Sequence, residues 1–144
     1  MREYRFRGKR VDDGKWVYGC VILHNEFAFI ANGNATLKTP YKKHNLHSFN
    51  GIYEVIPETV GQYTGLKDKN GKEVFEGDIV IAWSQGQKEI CKVKWGQGRV
   101  GFFLYRSPNI IWHLSGGGFD YTFEMIEIIG NIYENTELVG ENNG

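Results

Sequence analysis

The chain breaks into short runs of alternating residues, each closed by a turn signal, and this spacing is what most constrains its fold. Asp12-Asp13-Gly14, His24-Asn25-Glu26, Asn32-Gly33-Asn34, Asp68-Lys69-Asn70-Gly71, Gly96-Gln97-Gly98 and Gly116-Gly117-Gly118 interrupt it. Asp and Asn bond their own backbone in turns, and a following Gly accepts the positive φ that tight hairpins need. Nineteen glycines, 15% aromatic residues and only two methionines lean toward strands and turns in the same way. A helical bundle and a coiled coil are disfavoured. At 144 residues the chain is long enough to build a core without a disulfide or metal, as one domain or one domain plus a small subdomain.

Strands are expected over residues 4–11, 15–23 and 27–31. In the second, Trp16, Tyr18, Cys20 and Ile22 share one face, and Val17, Val21 and Leu23 share the other. Apolar residues on both faces make this strand central or part of an interface. Residues 35–50 are polar and read as a long loop. Short strands follow at 52–56 and 59–64, and residues 74–77 read as a single helical turn or bend. From Asp78 the pattern is β: 78–83, 88–95, 100–105, 110–114 and 128–133, with a helical turn at 123–127. Within 88–95, Glu89, Cys91, Val93 and Trp95 are expected inward, and Lys88, Ile90, Lys92 and Lys94 outward. The expected fold is mostly β with little helix. An N-terminal antiparallel hairpin unit (1–50) packs on a C-terminal SH3-like small barrel or roll (52–135), followed by a disordered tail (136–144).

The net charge is zero, with 17 basic and 17 acidic residues. A free-standing DNA binder usually has an overall basic charge, so nucleic acid is disfavoured as a partner though not excluded. The balance hides a gradient. Residues 1–50 carry nine Lys/Arg and four Asp/Glu, a net +5, and residues 101–144 carry one and six, a net −5. The two ends attract within one fold or between subunits, or the basic end touches nucleic acid. Cys20 and Cys91 lie far apart with no CxxC, which points to free buried thiols and to neither a disulfide framework nor a zinc site. The opening MREYRFRGKR lacks the apolar stretch of a signal peptide, and no apolar run is long enough to span a membrane. The expected location is the cytoplasm of a bacterial host.

Three segments together resemble a known family. They are Phe6-Arg7-Gly8-Lys9-Arg10 with Asp13-Gly14-Lys15-Trp16-Val17-Tyr18-Gly19, then Val60-Gly61-Gln62-Tyr63-Thr64-Gly65-Leu66-Lys67-Asp68-Lys69-Asn70-Gly71-Lys72-Glu73 with Phe75-Glu76-Gly77-Asp78-Ile79-Val80, and finally Ile129-Gly130-Asn131-Ile132-Tyr133-Glu134-Asn135 with Glu137-Leu138. In this order they resemble the YopX family of small bacteriophage and prophage proteins. The resemblance implies a phage or prophage setting and makes self-association plausible. It brings no catalytic residues and no cofactor.

Candidate sites come from the residues themselves. Arg5, Arg7 and Lys9 fall on one face of the first strand, with Tyr4 and Phe6 opposite, a pattern that suits either a phosphate backbone or a solvated outer face. His44 and His47, with His24 upstream, lack the further ligand and scaffold a metal needs. Glu58, Asp68, Glu76 and Asp78 read as local fasteners before they read as an acid/base pair: Asp68 can bond the backbone of its own turn, and Asp78 can fasten the bend after Gly77. Gly116-Gly117-Gly118 lacks the GK[ST] of a phosphate loop, and Ser115 lacks partners for a nucleophile. The last feature is a surplus of apolar side chains. Phe102 and Phe103 with Tyr105 give one strand two apolar faces, and Trp16 and Tyr18 opposite Val17 and Val21 do the same near the N-terminus. Such a surplus suits a contact with another subunit or with other phage or host proteins. The expected function is therefore a non-catalytic protein–protein interaction or self-assembling module, not an enzyme. The alternative is a nucleic-acid-binding module that uses the basic N-terminal strand.

Overall fold

The computed structural model describes residues 5–36, 50–84, 86–96, 101–106, 109–113 and 126–139. The chain forms two compact units, Met1–Gln62 and Tyr63–Gly144.

In the first unit, β1 (Phe6–Lys9), β2 (Trp16–His24), β3 (Phe27–Thr36) and β4 (Asn50–Val55) are followed by a 3-10 turn at Pro57–Thr59 and the first residues of β5 (Gly61–Lys67). The antiparallel order is β4-β3-β2-β1-β5. Local chemistry sets the hairpins. Gly14 at φ 73° reverses the chain, and Asp13 Oδ1 accepts the N–H of Lys15 at 2.9 Å. Asn25 at φ 56° makes the next turn, a left-handed position that Asn tolerates. One face of this sheet carries the core: Ala28, Ile30 and Val55, with Phe6, Val17, Val21 and Val60 packed on it. Full burial of each such aliphatic side chain stabilises by about 1.5–3 kcal/mol. Gly8 lies under Val55, where a Cβ would come within 2.9 Å of the Val55 Cβ.

In the second unit, the rest of β5 pairs with β6 (Glu73–Phe75). Then come β7 (Asp78–Ser84), β8 (Gln87–Trp95), β9 (Phe102–Arg106), β10 (Asn109–His113), β11 (Ile126–Asn131) and a 3-10 turn at Thr136–Val139. The order β10-β9-β8-β7-β11 is a four-strand meander with the last strand returned beside the first. Val74, Val80, Ala82, Cys91, Val93, Leu104 and Ile126 form its core, with Ile128 against it.

The mostly β expectation holds, and both sheets are antiparallel. The SH3-like closure does not appear, because the strand order leaves both sheets open among the described residues. Four local differences have physical reasons. Asn32-Gly33-Asn34 does not end the third strand, since pairing with β4 carries it on to Thr36. Residues expected to bend at 74–77 include a short strand, because Phe75 pairs with Tyr63, and only Glu76-Gly77 turns. Ile126 and Glu127 are strand, not helix: Ile126 is buried in the core and pairs with Ala82. Thr136–Val139 is ordered into a turn by the N–H of Leu138 on the Asn135 carbonyl. Residues 37–49, 116–118 and 140–144 lie outside the described residues.

Candidate functional site

Strand register joins the two sets of N-terminal candidates on one surface. Arg7 pairs with Tyr18 and Lys9 with Trp16 across β1 and β2. Directly paired residues point to the same side of a sheet, so Arg5, Arg7 and Lys9 share a face with Trp16 and Tyr18. The same face continues through Cys20 and Ile22 to Phe29 and, opposite His24, to Phe27. Its opposite is the core face. Nine-residue β2 is therefore central, as its two apolar faces require.

The three cations are not equally placed. Arg7 is only 6% exposed, and its guanidinium lies 4.3 Å from the centroid of the Trp16 ring. Lys9 Nζ is 5.8 Å from the same ring. Arg5 and Lys9 are half-buried. A planar guanidinium on an indole is a packing contact as much as a charge contact. Arg10 belongs to the turn: it holds Asp12 through two hydrogen bonds of 2.9 and 2.6 Å and lies over Tyr53 at 4.4 Å. That bonding raises the Arg10 pKa and lowers the Asp12 carboxyl below its usual range, in each case chiefly through the hydrogen bond between them.

On this face Tyr18 is 43% exposed and Phe27 47%, while Phe29, two residues along β3 from Phe27, is buried. Cys20 is exposed, contrary to the expectation of two buried thiols, because it shares the parity of Tyr18. Alternation in the sequence alone does not single out Phe27. The signal that finds it is the two-residue turn Asn25-Glu26, which fixes Phe27 opposite His24.

The carboxylates act on backbone. Asp68 is fully buried. Its Oδ1 accepts the N–H groups of Asn70 and Lys72, and its Oδ2 accepts that of Ile128. Asp78 Oδ2 accepts the N–H of Phe75 at 2.8 Å across the Glu76-Gly77 bend. Glu58 is exposed in the 3-10 turn. The distinctive C-terminal segment is a similar fastener. Asn131 Oδ1 accepts the N–H groups of Tyr133 and Glu134, and Asn135 Oδ1 accepts that of Asn131. Gly130 is required there because a Cβ would sit 2.5 Å from Asn135 Oδ1.

Of the aromatic strand, Phe102 and Phe103 are buried and Tyr105 is half-buried. Phe102 packs edge-on against Trp95 at 4.8 Å, and Phe103 meets Tyr105 at 6.3 Å. Trp95, expected inward, is 44% exposed at the end of its strand. Cys91 has no exposed surface, and its desolvation, with Glu89 nearby, pushes the thiol pKa up to about 11. His44, His47 and Ser115 lie outside the described residues. Among those described, no group of three or more His, Cys, Asp or Glu stands together as a metal site, and no helix is long and apolar enough to cross a membrane.

The chain matches the family described as "YopX protein" over residues 5–140. It is also similar to the solved structure of protein EF1440 from Enterococcus faecalis, with a TM-score of 0.51 and 20% identity, covering 96% of this chain and 99% of that one. At that identity the likeness concerns the fold alone. No curated protein matches the chain.

Proposed function

The chain belongs to the YopX family, and we propose that it is a non-catalytic accessory protein working through protein–protein contact, first of all with a second copy of itself. The observation that carries this reading is the exposure of Tyr18 and Phe27 on the one face of the N-terminal sheet that also holds Ile22 and Phe29. An aromatic strip of this kind loses water-exposed area when a partner covers it. The basic N-terminal and acidic C-terminal thirds of the sequence favour a second copy, since each supplies the charge that the other lacks. The buried carboxylates support the non-catalytic part, because Asp68 and Asp78 already accept backbone N–H groups. A phage or prophage setting in a bacterial cytoplasm rests on the family resemblance.

Charge variants test this reading. Tyr18→Glu and Phe27→Glu place a carboxylate on the strip without touching the core. Each should lower the oligomer mass measured by light scattering while leaving the circular dichroism spectrum unchanged. Unaltered mass in both variants contradicts the assignment of this face.

A further inference from the structure

We propose that the outer face of β7, β8 and β9 binds single-stranded nucleic acid. The register defines the face. Ile79 pairs with Lys92, Ile81 with Ile90 and Trp83 with Lys88, while Lys92 pairs with Tyr105 and Lys94 with Phe103. All of these side chains lie on the side opposite the core residues Val80, Ala82, Cys91, Val93 and Leu104. Glu127, opposite Ile81, joins them from β11, and Lys69 reaches the same place from the preceding turn.

The face is basic and aromatic together. Lys69 Nζ lies 4.9 Å and Lys88 Nζ 5.9 Å from the Trp83 ring centroid, and Lys94 Nζ lies 4.5 Å from that of Tyr105. Lys92 is only 7% exposed and makes no ion pair with a described residue. Among the described residues, four lysines share this face with Glu127, which is held by Lys69 at 3.5 Å. Its Ile79–Lys92 end is buried, with Leu138 against Gly130, the residue paired with Ile79, so the open part lies around Trp83, Lys88 and Lys94. Among the described residues, the open end of this face around Trp83 holds more cations than carboxylates.

Charge complementarity selects a polyanion as the occupant, and the rings select one with flat apolar groups between its charges. A single strand offers both: phosphates for the lysines and unpaired bases for Trp83 and Tyr105. A duplex hides its base faces, and an acidic peptide offers a flat group only where an aromatic residue interrupts its carboxylates, whereas every nucleotide of a single strand carries one. Alternate residues of β8 lie about 7 Å apart, so its lysines form a row along the strand. Exposed lysine–ring contacts are weak, so Lys88 and Lys94 can exchange ring for phosphate as a base takes the ring. This surface is separate from the N-terminal strip and does not depend on self-association.

The test is fluorescence anisotropy of a labelled thymidylate oligomer with the full chain at low salt. Binding should weaken with salt at a log–log slope of roughly 2–3 in magnitude, as about 0.7 per neutralising lysine requires. The Lys88→Gln, Lys94→Gln double variant should bind about tenfold more weakly, with the slope reduced by about 1.4. Binding should quench tryptophan emission, and Trp83→Phe should remove that quenching. No binding at low salt overturns the proposal. So does binding that the lysine variant leaves unchanged, duplex bound as tightly as the single strand, or equal displacement by polyglutamate without quenching.

Discussion

Asp68 Oδ2 accepts the backbone N–H of Ile128 at 3.0 Å, joining positions 60 residues apart. The same carboxylate closes its own turn through Asn70 and Lys72, and the N–H of Lys69 donates to the carbonyl of Ile126 beside it. One buried side chain therefore fixes where β11 meets the Asp68–Lys72 turn.

Replacing Asp68 with Ala should lower stability by about 3 kcal/mol, because buried N–H groups lose a charged acceptor. Urea denaturation reads this as a lower midpoint at unchanged m-value. A loss within experimental scatter would show that the bracket is dispensable.

Two glycines should fail for different reasons. At Gly8 an added Cβ meets Val55, so Gly8→Ala should cost about 2–3 kcal/mol through overpacking. Gly14 has open space around it but φ at +73°, so Gly14→Ala should cost about 1 kcal/mol through the backbone alone. The reverse order in thermal or urea melts contradicts this assignment.

Arg7 should behave as a packing residue. Arg7→Gln removes the stack on Trp16 and should destabilise by about 2 kcal/mol, and Arg7→Lys should recover only part of that. Urea melts of the two variants measure it. Equal stability of all three proteins would mean that the stack contributes nothing.

Cys91 gives the alkaline limit a specific origin. Its folded pKa, about 11, lies above the ordinary thiol value of 9.0. The unfolded chain therefore ionises first as pH rises. The neutral thiol's contribution is complete below about pH 9 and is lost progressively up to about pH 11, with a total of order 2 kcal/mol. Cys91→Ala should flatten this alkaline decline relative to wild type. A thiol reagent at neutral pH should label Cys20 rapidly and Cys91 only on unfolding.

Much of this fold is legible in the sequence because its signals are local. Asp12-Asp13-Gly14 and Asn25 announce the two turns that frame β2, and the roles of Asp68 and Asp78 follow from acidic residues beside Gly turns. What fails is non-local. A three-residue strand such as β6 has no period to read and exists because Tyr63 and Lys67 lie beside it. Glu127 tolerates helix but pairs with Ile81. The alternation of β8 places Lys88, Lys92 and Lys94 on the face opposite the core, but Lys92, expected outward, is buried there. Only the register against β7 and β9 brings them beside Trp83 and Tyr105. The same is true of Arg7 and Tyr18, which stand in the sequence as two separate features, because cross-strand partners cannot be paired from composition.

The reading of the chain as a self-associating module is tested most directly by the solution mass of the wild-type protein across a concentration series, measured by light scattering with absorbance monitored for nucleic acid. With any co-purified nucleic acid removed by high salt, the account predicts a species at an integer multiple of the chain mass at high concentration, dissociating on dilution. A monomer at every concentration would contradict it.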